Sequence, residues 1–230
     1  MRDDYNEYVG AETREPKITR QDYLTLSRLS KLLRKSVEKY VQEQDVVLDL
    51  GCGEKPYQPL FLGKNVIYIG VDAKRNEFVD ILCVGAKLPF KDDVFSICIH
   101  TQVLEHVDEP KIVVDEIFRV LKPDGLLFLS APGVWPIHGA PHDYWRWTEY
   151  GLRKMLTNFH IHEIHNCGGS AVSIIQLLEL YITRRSLGIM AIVFLNKLGD
   201  LLDNITWLDA KLPKLTTNYF VIARKLVGKK

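Results

Sequence analysis

Val46-Val47-Leu48-Asp49-Leu50-Gly51-Cys52-Gly53 and the later run Val66-Ile67-Tyr68-Ile69-Gly70-Val71-Asp72 decide how the rest of the chain is read. The first opens with five residues of which only Asp49 is polar. That is the pattern of a short parallel strand covered on both faces. Gly51 and Gly53 then permit a tight turn and a close approach of backbone to a ligand. The second run reads as another buried strand and ends on an acid, Asp72, nineteen residues after Gly53. A glycine turn after one strand and a carboxylate at the tip of the next describe a nucleoside site, the acid accepting hydrogen bonds from ribose hydroxyls.

A missing glycine narrows the ligand. A dinucleotide site needs G-x-G-x-x-G, so that a helix starts at the turn and points its N-terminus at a pyrophosphate. Here Gly51-Cys52-Gly53 runs into Glu54-Lys55-Pro56, with Pro59 close behind. The prolines argue against a clean helix start, and Glu54 repels a phosphate. A ribose without phosphate fits better, which disfavours a nicotinamide-dependent dehydrogenase.

On these residues the chain resembles the class I S-adenosylmethionine (SAM) methyltransferases, in the type 11 group. The block 48–53 is similar to that family's first motif and Gly70-Val71-Asp72 to its second. Leu88-Pro89-Phe90 with Asp92-Asp93-Val94-Phe95, then Gln102-Val103-Leu104-Glu105-His106-Val107, then Lys122-Pro123-Asp124-Gly125 extend the likeness. It implies a doubly wound, mostly parallel seven-stranded α/β sheet with an antiparallel last strand. It also implies SAM as cofactor, held by Asp49, Gly51, Cys52, Gly53, Asp72, Ala73, Gly85, Ala86, Lys87 and Gln102. Val84 and Ser96 stand where relatives usually carry acids. The adenine is therefore expected to rest on the backbone of 85–87 and on apolar packing.

Outward from this core, apolar residues at helical spacing predict a helix over 19–42, with a polar stretch 1–17 before it as a loose segment or flap. Strands are expected at 94–101, 125–131, 159–166 and 218–224. Asp108 is expected to cap a helix with Pro110 in its first turn and Ile112, Val113, Ile117, Val120 and Leu121 on its buried face. Another helix is expected over 149–158. The domain reading is an N-terminal flap and helix at 1–43, the SAM-binding core at 44–169, a helical insertion at 170–210 and the final strand at 211–230. The insertion holds two apolar stretches, and its uninterrupted runs fall short of the ~20 residues a spanning helix needs. It is expected to form a lid, a core annex, a homodimer face or a peripheral membrane contact through 171–204.

The most unusual stretch is residues 132–148, with two histidines, an acid, an arginine and four aromatics directly after the fifth strand. In open α/β sheets ligands sit at the carboxyl ends of strands, on loops such as this. It is similar to an Asp-Tyr-Trp-Arg-x-Thr segment found in relatives associated with cell-surface sugars. His138 or His142 is expected to take a proton from an acceptor hydroxyl, with Asp143 orienting the imidazole. His100, Tyr144, Trp145 and Arg146 are expected to bind the substrate. His106 is expected chiefly to brace its loop. The acceptor would be a small molecule such as a sugar or glycan precursor, methylated on oxygen. A membrane-presented lipid or quinone, and a non-catalytic SAM-binding accessory protein, are the competing readings.

Thirty Lys and Arg against 29 Asp and Glu leave no basic excess for nucleic acid. Cys52, Cys83, Cys98 and Cys167 show no ligand spacing, and His160, His162 and His165 do not share one strand face. No metal centre is expected, and the thiols are expected to be reduced. The charged first residues carry no secretory pattern, so a cytoplasmic protein is expected.

Overall fold

Valine and leucine on both sides of Asp49 suit a strand buried on two faces, and β1 (Val46–Leu50) takes an interior place in the sheet. The computed structural model describes residues 11–183, 188–203 and 214–226. The expectations for 1–10, for Arg184 and Arg185, and for the 210/211 boundary lie outside them. Two helices come first, α1 (Ala11–Arg14) and α2 (Tyr23–Tyr40). After β1 the chain adds β2 (Ile67–Asp72), β3 (Ile81–Leu82) and β4 (Phe95–Thr101), then α3 (Pro110–Val120) and β5 (Leu121–Pro132). The remainder is α4 (Glu149–Met155), β6 (Phe159–Asn166), α5 (Ser170–Thr183), α6 (Ile189–Asp203) and β7 (Asn218–Lys225).

The seven strands lie in the order β3-β2-β1-β4-β5-β7-β6, with β7 antiparallel to both neighbours and the rest of the sheet parallel. Alternation along the strands splits the core into two layers. Leu48, Leu50, Cys98, Leu127 and Leu129 pack with Val113 and Ile117 of α3 on one face. Val47, Ile97, Ile99 and Phe128 pack with Leu29, Leu33 and Val37 of α2 on the other.

Several boundaries differ from expectation. α2 begins at Tyr23 rather than 19, because Asp22 is gripped by Arg20 through two hydrogen bonds of 2.9 Å and 2.9 Å. Glu109, not Asp108, stands at the N-cap position of α3, with no side-chain capping bond, since Pro110 occupies the first turn and fixes its predecessor outside the helix. The buried face of α3 carries Val114, while Ile112 is 43% exposed. β5 starts at Leu121, pairs with Phe95, and bulges before Leu126 resumes the register. No α-helix connects β1 to β2. A 3₁₀ turn at Gln58–Phe61 takes its place, as the prolines at 56 and 59 dictate.

α5 and α6 pack on each other and on α2. Leu24 meets Val172 and Ile175, and a Cβ on Gly199 would stand 2.6 Å from Leu24 Cδ1. Polar groups fix the same seam. The Thr25 N–H donates to Gln176 Oε1 (3.2 Å), and Asn196 Nδ2 donates to the carbonyls of Ile18 (2.8 Å) and Arg20 (2.9 Å). α5 and α6 therefore pack against the segment that leads into α2. Their outer side leaves Tyr181, Ile189, Met190, Phe194 and Leu201 exposed. Among the described residues no helix is long and apolar enough to cross a membrane.

Candidate functional site

The glycine turn docks on the tip of β2. The N–H groups of Gly51 (2.7 Å) and Cys52 (3.1 Å) both donate to Val71 O. Gly51 has φ +79° and Gly53 φ +49°, the left-handed region that favours glycine. A Cβ on Gly51 would lie 2.3 Å from Val103 Cγ2, so this turn passes directly under the loop after β4. Asp72 accepts hydrogen bonds from the Gly53 N–H (3.0 Å) and the Lys74 N–H (2.8 Å), one on each carboxylate oxygen. Each oxygen keeps a second lone pair, which suits a pair of ribose hydroxyls. Lys55 spends its charge on Asp80 at 2.6 Å, so the cation nearest the turn is committed within the fold. Beyond β3, Val84 is 61% exposed, and the Gly85 turn packs near Leu50. This cradle fits an adenosine without phosphate: carboxylate for the ribose, glycine backbone, and an apolar edge.

Asp49 and Cys52 enter the cradle from beneath. Asp49 is 2% exposed and accepts a 2.6 Å hydrogen bond from the Tyr68 hydroxyl, and burial lifts its carboxyl to about 7. Cys52 turns its sulfur under Gly70, and burial, with Asp49 beside it, pushes the thiol up to about 12. Of Cys52, only the main chain is left to meet a ligand.

A cavity of about 250 Å³ opens at the carboxyl ends of β4 and β5 and the amino end of the antiparallel β7. Its walls include Gln102, His106, Trp135 and His138 on one side, and Thr13, Asp22, Thr25 and Leu26 of the N-terminal segment on the other. Gln102 belongs here rather than at the glycine turn: its Nε2 donates to Ser130 Oγ and to Asn218 Oδ1, each at 2.9 Å.

Residues 48–129 match the family described as Methyltransferase domain. An uncharacterized methyltransferase of Mycolicibacterium vanbaalenii is 31% identical over 141 residues, 55% of this chain and 55% of that protein. The chain spans 36% to 64% of the length of the curated relatives it matches. Among solved structures, a Burkholderia thailandensis N-methyltransferase of 1,6-didemethyltoxoflavin, bound to S-adenosylhomocysteine, gives TM-score 0.58 at 16% identity. That match spans 89% of this chain and 79% of that one. The cyclase SpnF gives TM-score 0.58 at 18% identity over 96% and 98% of the two chains. These structures share the fold of this chain.

The 132–148 loop does different work from that expected. Arg146 grips Asp143 through bonds of 2.6 Å and 2.7 Å and donates to the carbonyls of Trp135 (3.0 Å) and Pro136 (2.8 Å). Its guanidinium closes the loop and does not reach the cavity. The N–H groups of Tyr144 (2.9 Å) and Trp145 (3.3 Å) donate to Glu105 O, and Trp145 Nε1 donates to Val107 O (2.8 Å). Tyr144, Trp145 and Arg146 brace the loop after β4, and none of the three is among the cavity's lining residues. His142 is exposed and turns its Nδ1 to the Tyr144 hydroxyl (2.8 Å), outside the cavity.

His100 is 1% exposed on the α3 side of β4 and donates from Nδ1 to Leu50 O (2.9 Å). Burial lowers its pKa, and it is not among the cavity's lining residues. His138 is the expected residue that the structure does bring to the cavity. Its backbone N–H donates to Asp143 Oδ2 (2.8 Å), and its Nδ1 lies 3.5 Å from the same oxygen. Burial alone would lower its pKa, but Glu105 and Asp143 raise it above the ordinary value. Burial opposes ionisation of Asp143, yet Arg146 and the His138 N–H hold it below the usual carboxylate range.

Glu105 is the residue the sequence did not single out. It is fully buried, with Oε1 at 3.7 Å from His138 Nε2 and 3.9 Å from His106 Nε2. Its signal was its place inside the family-like block 102–107.

Proposed function

We propose that the chain transfers a methyl group from SAM to a hydroxyl of a small acceptor held in the cavity beside Gln102, Trp135 and His138. One observation carries this reading. The phosphate-free nucleoside cradle at Gly51, Gly53 and Asp72 shares a wall, the loop from Gln102 to His106, with a cavity of about 250 Å³ that holds a histidine of raised pKa. The acceptor oxygen attacks the methyl carbon in line, the carbon–sulfur bond breaks toward sulfur, and the neutral thioether S-adenosylhomocysteine departs. The sulfonium is already activated, so the protein's main contribution is alignment. The acceptor proton passes to His138 Nε2, with Asp143 fixing the ring. His138 is preferred to His142 because only His138 lines the cavity.

Calorimetric titration with SAM, followed by release of S-adenosylhomocysteine over a panel of hydroxylated acceptors, tests the proposal. Asp72→Ala should weaken SAM binding at least tenfold while leaving the thermal midpoint close to the parent's. Unchanged affinity in that variant removes the cradle from consideration. SAM binding with no turnover over the whole panel favours an accessory role or, as in SpnF's case, another chemistry.

The exposed row Tyr181, Ile189, Met190, Phe194 and Leu201 favours a second reading of the acceptor, a lipid presented at a membrane surface. Co-sedimentation with anionic liposomes, abolished by Met190→Ser with Phe194→Ser, is the expected result in that case. A chain that stays in the supernatant rules it out.

A further inference from the structure

Glu105, His106 and His138 bring one carboxylate oxygen and two imidazole nitrogens within 4.8 Å of one another at the edge of the cavity. Glu105 is 0% exposed, and neither of its side-chain oxygens has a hydrogen-bond partner. A buried carboxylate in that state is costly and calls for a cation to complete it. Its neighbours at 3.7 Å and 3.9 Å are both beyond hydrogen-bonding reach.

The imidazoles are prepared for the same task. His106 Nδ1 faces the carbonyl of His142 at 2.6 Å, and a carbonyl only accepts, so the proton sits on Nδ1. His138 Nδ1 faces the carbonyl of Pro136 at 3.3 Å and Asp143 Oδ2 at 3.5 Å, which places its proton likewise. Both rings therefore present an Nε2 lone pair toward Glu105 Oε1. Metal-binding histidines are held in this way, by a carbonyl or carboxylate on the far nitrogen. The rings meet edge to face at 74°, with centroids 4.9 Å apart. Tetrahedral coordination with bonds of ~2.1 Å separates its donors by roughly 3.4 Å, so the two carboxylate–imidazole distances need a few tenths of an ångström of closure, and the two imidazole nitrogens, within 4.8 Å, at most about 1.4 Å.

We propose that Glu105, His106 and His138 bind one divalent transition-metal ion, leaving a coordination position open to the cavity. Two imidazoles and one carboxylate select zinc, cobalt or nickel over magnesium and calcium, which favour all-oxygen shells. This reverses the expectation of no metal. Adjacent residues 105 and 106 meet a third donor 32 positions later, a spacing that matches no ligand motif. Ion binding stands independently of the proposed methyl transfer. Its consequence rests on that reading: a metal-bound acceptor hydroxyl loses its proton more readily, and His138 then serves as ligand rather than base.

The test uses the full chain, stripped with chelator and titrated with Zn²⁺ and with Co²⁺, the latter followed by its visible absorption. One equivalent should bind and raise the thermal midpoint, while Mg²⁺ at the same concentration should do neither. Glu105→Gln should weaken Zn²⁺ binding at least tenfold. His106→Ala, at a half-exposed position where folding is less at stake, should do the same. The surface pair His160→Ala with His162→Ala should bind as the parent does. Absence of stoichiometric binding, or binding that survives His106→Ala and disappears with the surface pair, overturns the proposal. SAM affinity measured on the same samples separates the two ideas. SAM binding without metal defeats this one alone, and metal without SAM defeats the transfer reading alone.

Discussion

At the scale of the residue, Asp49 shows how a motif acid can be structural. Relatives suggested a cofactor ligand; here burial encloses it and the Tyr68 hydroxyl occupies one of its oxygens. Its carboxyl is lifted from the ordinary 3.8 to about 7. A folded-state pKa above the unfolded one means the folded chain keeps a proton that the unfolded chain has released. Stability contributed by this group thus falls as pH rises from about 4 to about 7. Glu179, lifted by burial from 4.5 to about 8, slopes the same way. Asp49→Asn keeps an acceptor for Tyr68 and removes one titration. Its thermal midpoint should decline less than the parent's between about pH 5 and pH 7.5, with Glu179 left to supply the remaining slope. An identical profile in melts across that range would mean Asp49 ionises freely in the fold. His100 and Cys52 teach the same lesson, since residue type in a sequence does not say which way a side chain turns.

At the scale of the element, the loop after β4 and the loop after β5 form one unit. The carbonyl of Glu105 takes two N–H groups from the facing segment, His106 leans on the carbonyl of His142, and Arg146 ties off the far end. Arg146→Lys retains the charge but loses the planar fork that spans Asp143 and two carbonyls. Turnover should fall about 10-fold or more, by the sensitivity of aligned reactions to small displacements, with SAM affinity within twofold of the parent. Parallel kinetics and calorimetry check both halves. The strand tips were legible because period, glycine and terminal acid are local signals. The bracing role of the Asp-Tyr-Trp-Arg segment was not, because its partners are main-chain carbonyls, which carry no mark in a sequence. The unpaired state of Glu105 was hidden for a related reason: it follows from what surrounds the side chain once the two loops have met.

At the scale of the whole molecule, the mostly parallel seven-stranded sheet with its antiparallel last strand was readable from the first two strands and the resemblance they carry, whereas the use of the insertion was not. Apolar stretches in 170–210 fit a lid, an annex or a docking face equally, and the contacts of Leu24, Gln176 and Asn196 show that α5 and α6 pack against α2 and the segment before it. Leu24 is fully buried at that seam, so Leu24→Ala should cost about 2–5 kcal/mol of stability by the usual cavity penalty. Because Thr25 and Leu26 wall the cavity, it should also raise the acceptor's KM more than the SAM dissociation constant. Denaturant melts and steady-state kinetics on one preparation measure both. The N-terminal segment has a second anchorage. Arg14 Nη1 reaches the carbonyl of Pro56 at 2.6 Å, just past the glycine turn, while its neighbour Thr13 stands in the cavity wall. One segment therefore ties the glycine turn to the cavity wall, so a displacement at either place is passed to the other through two neighbouring residues.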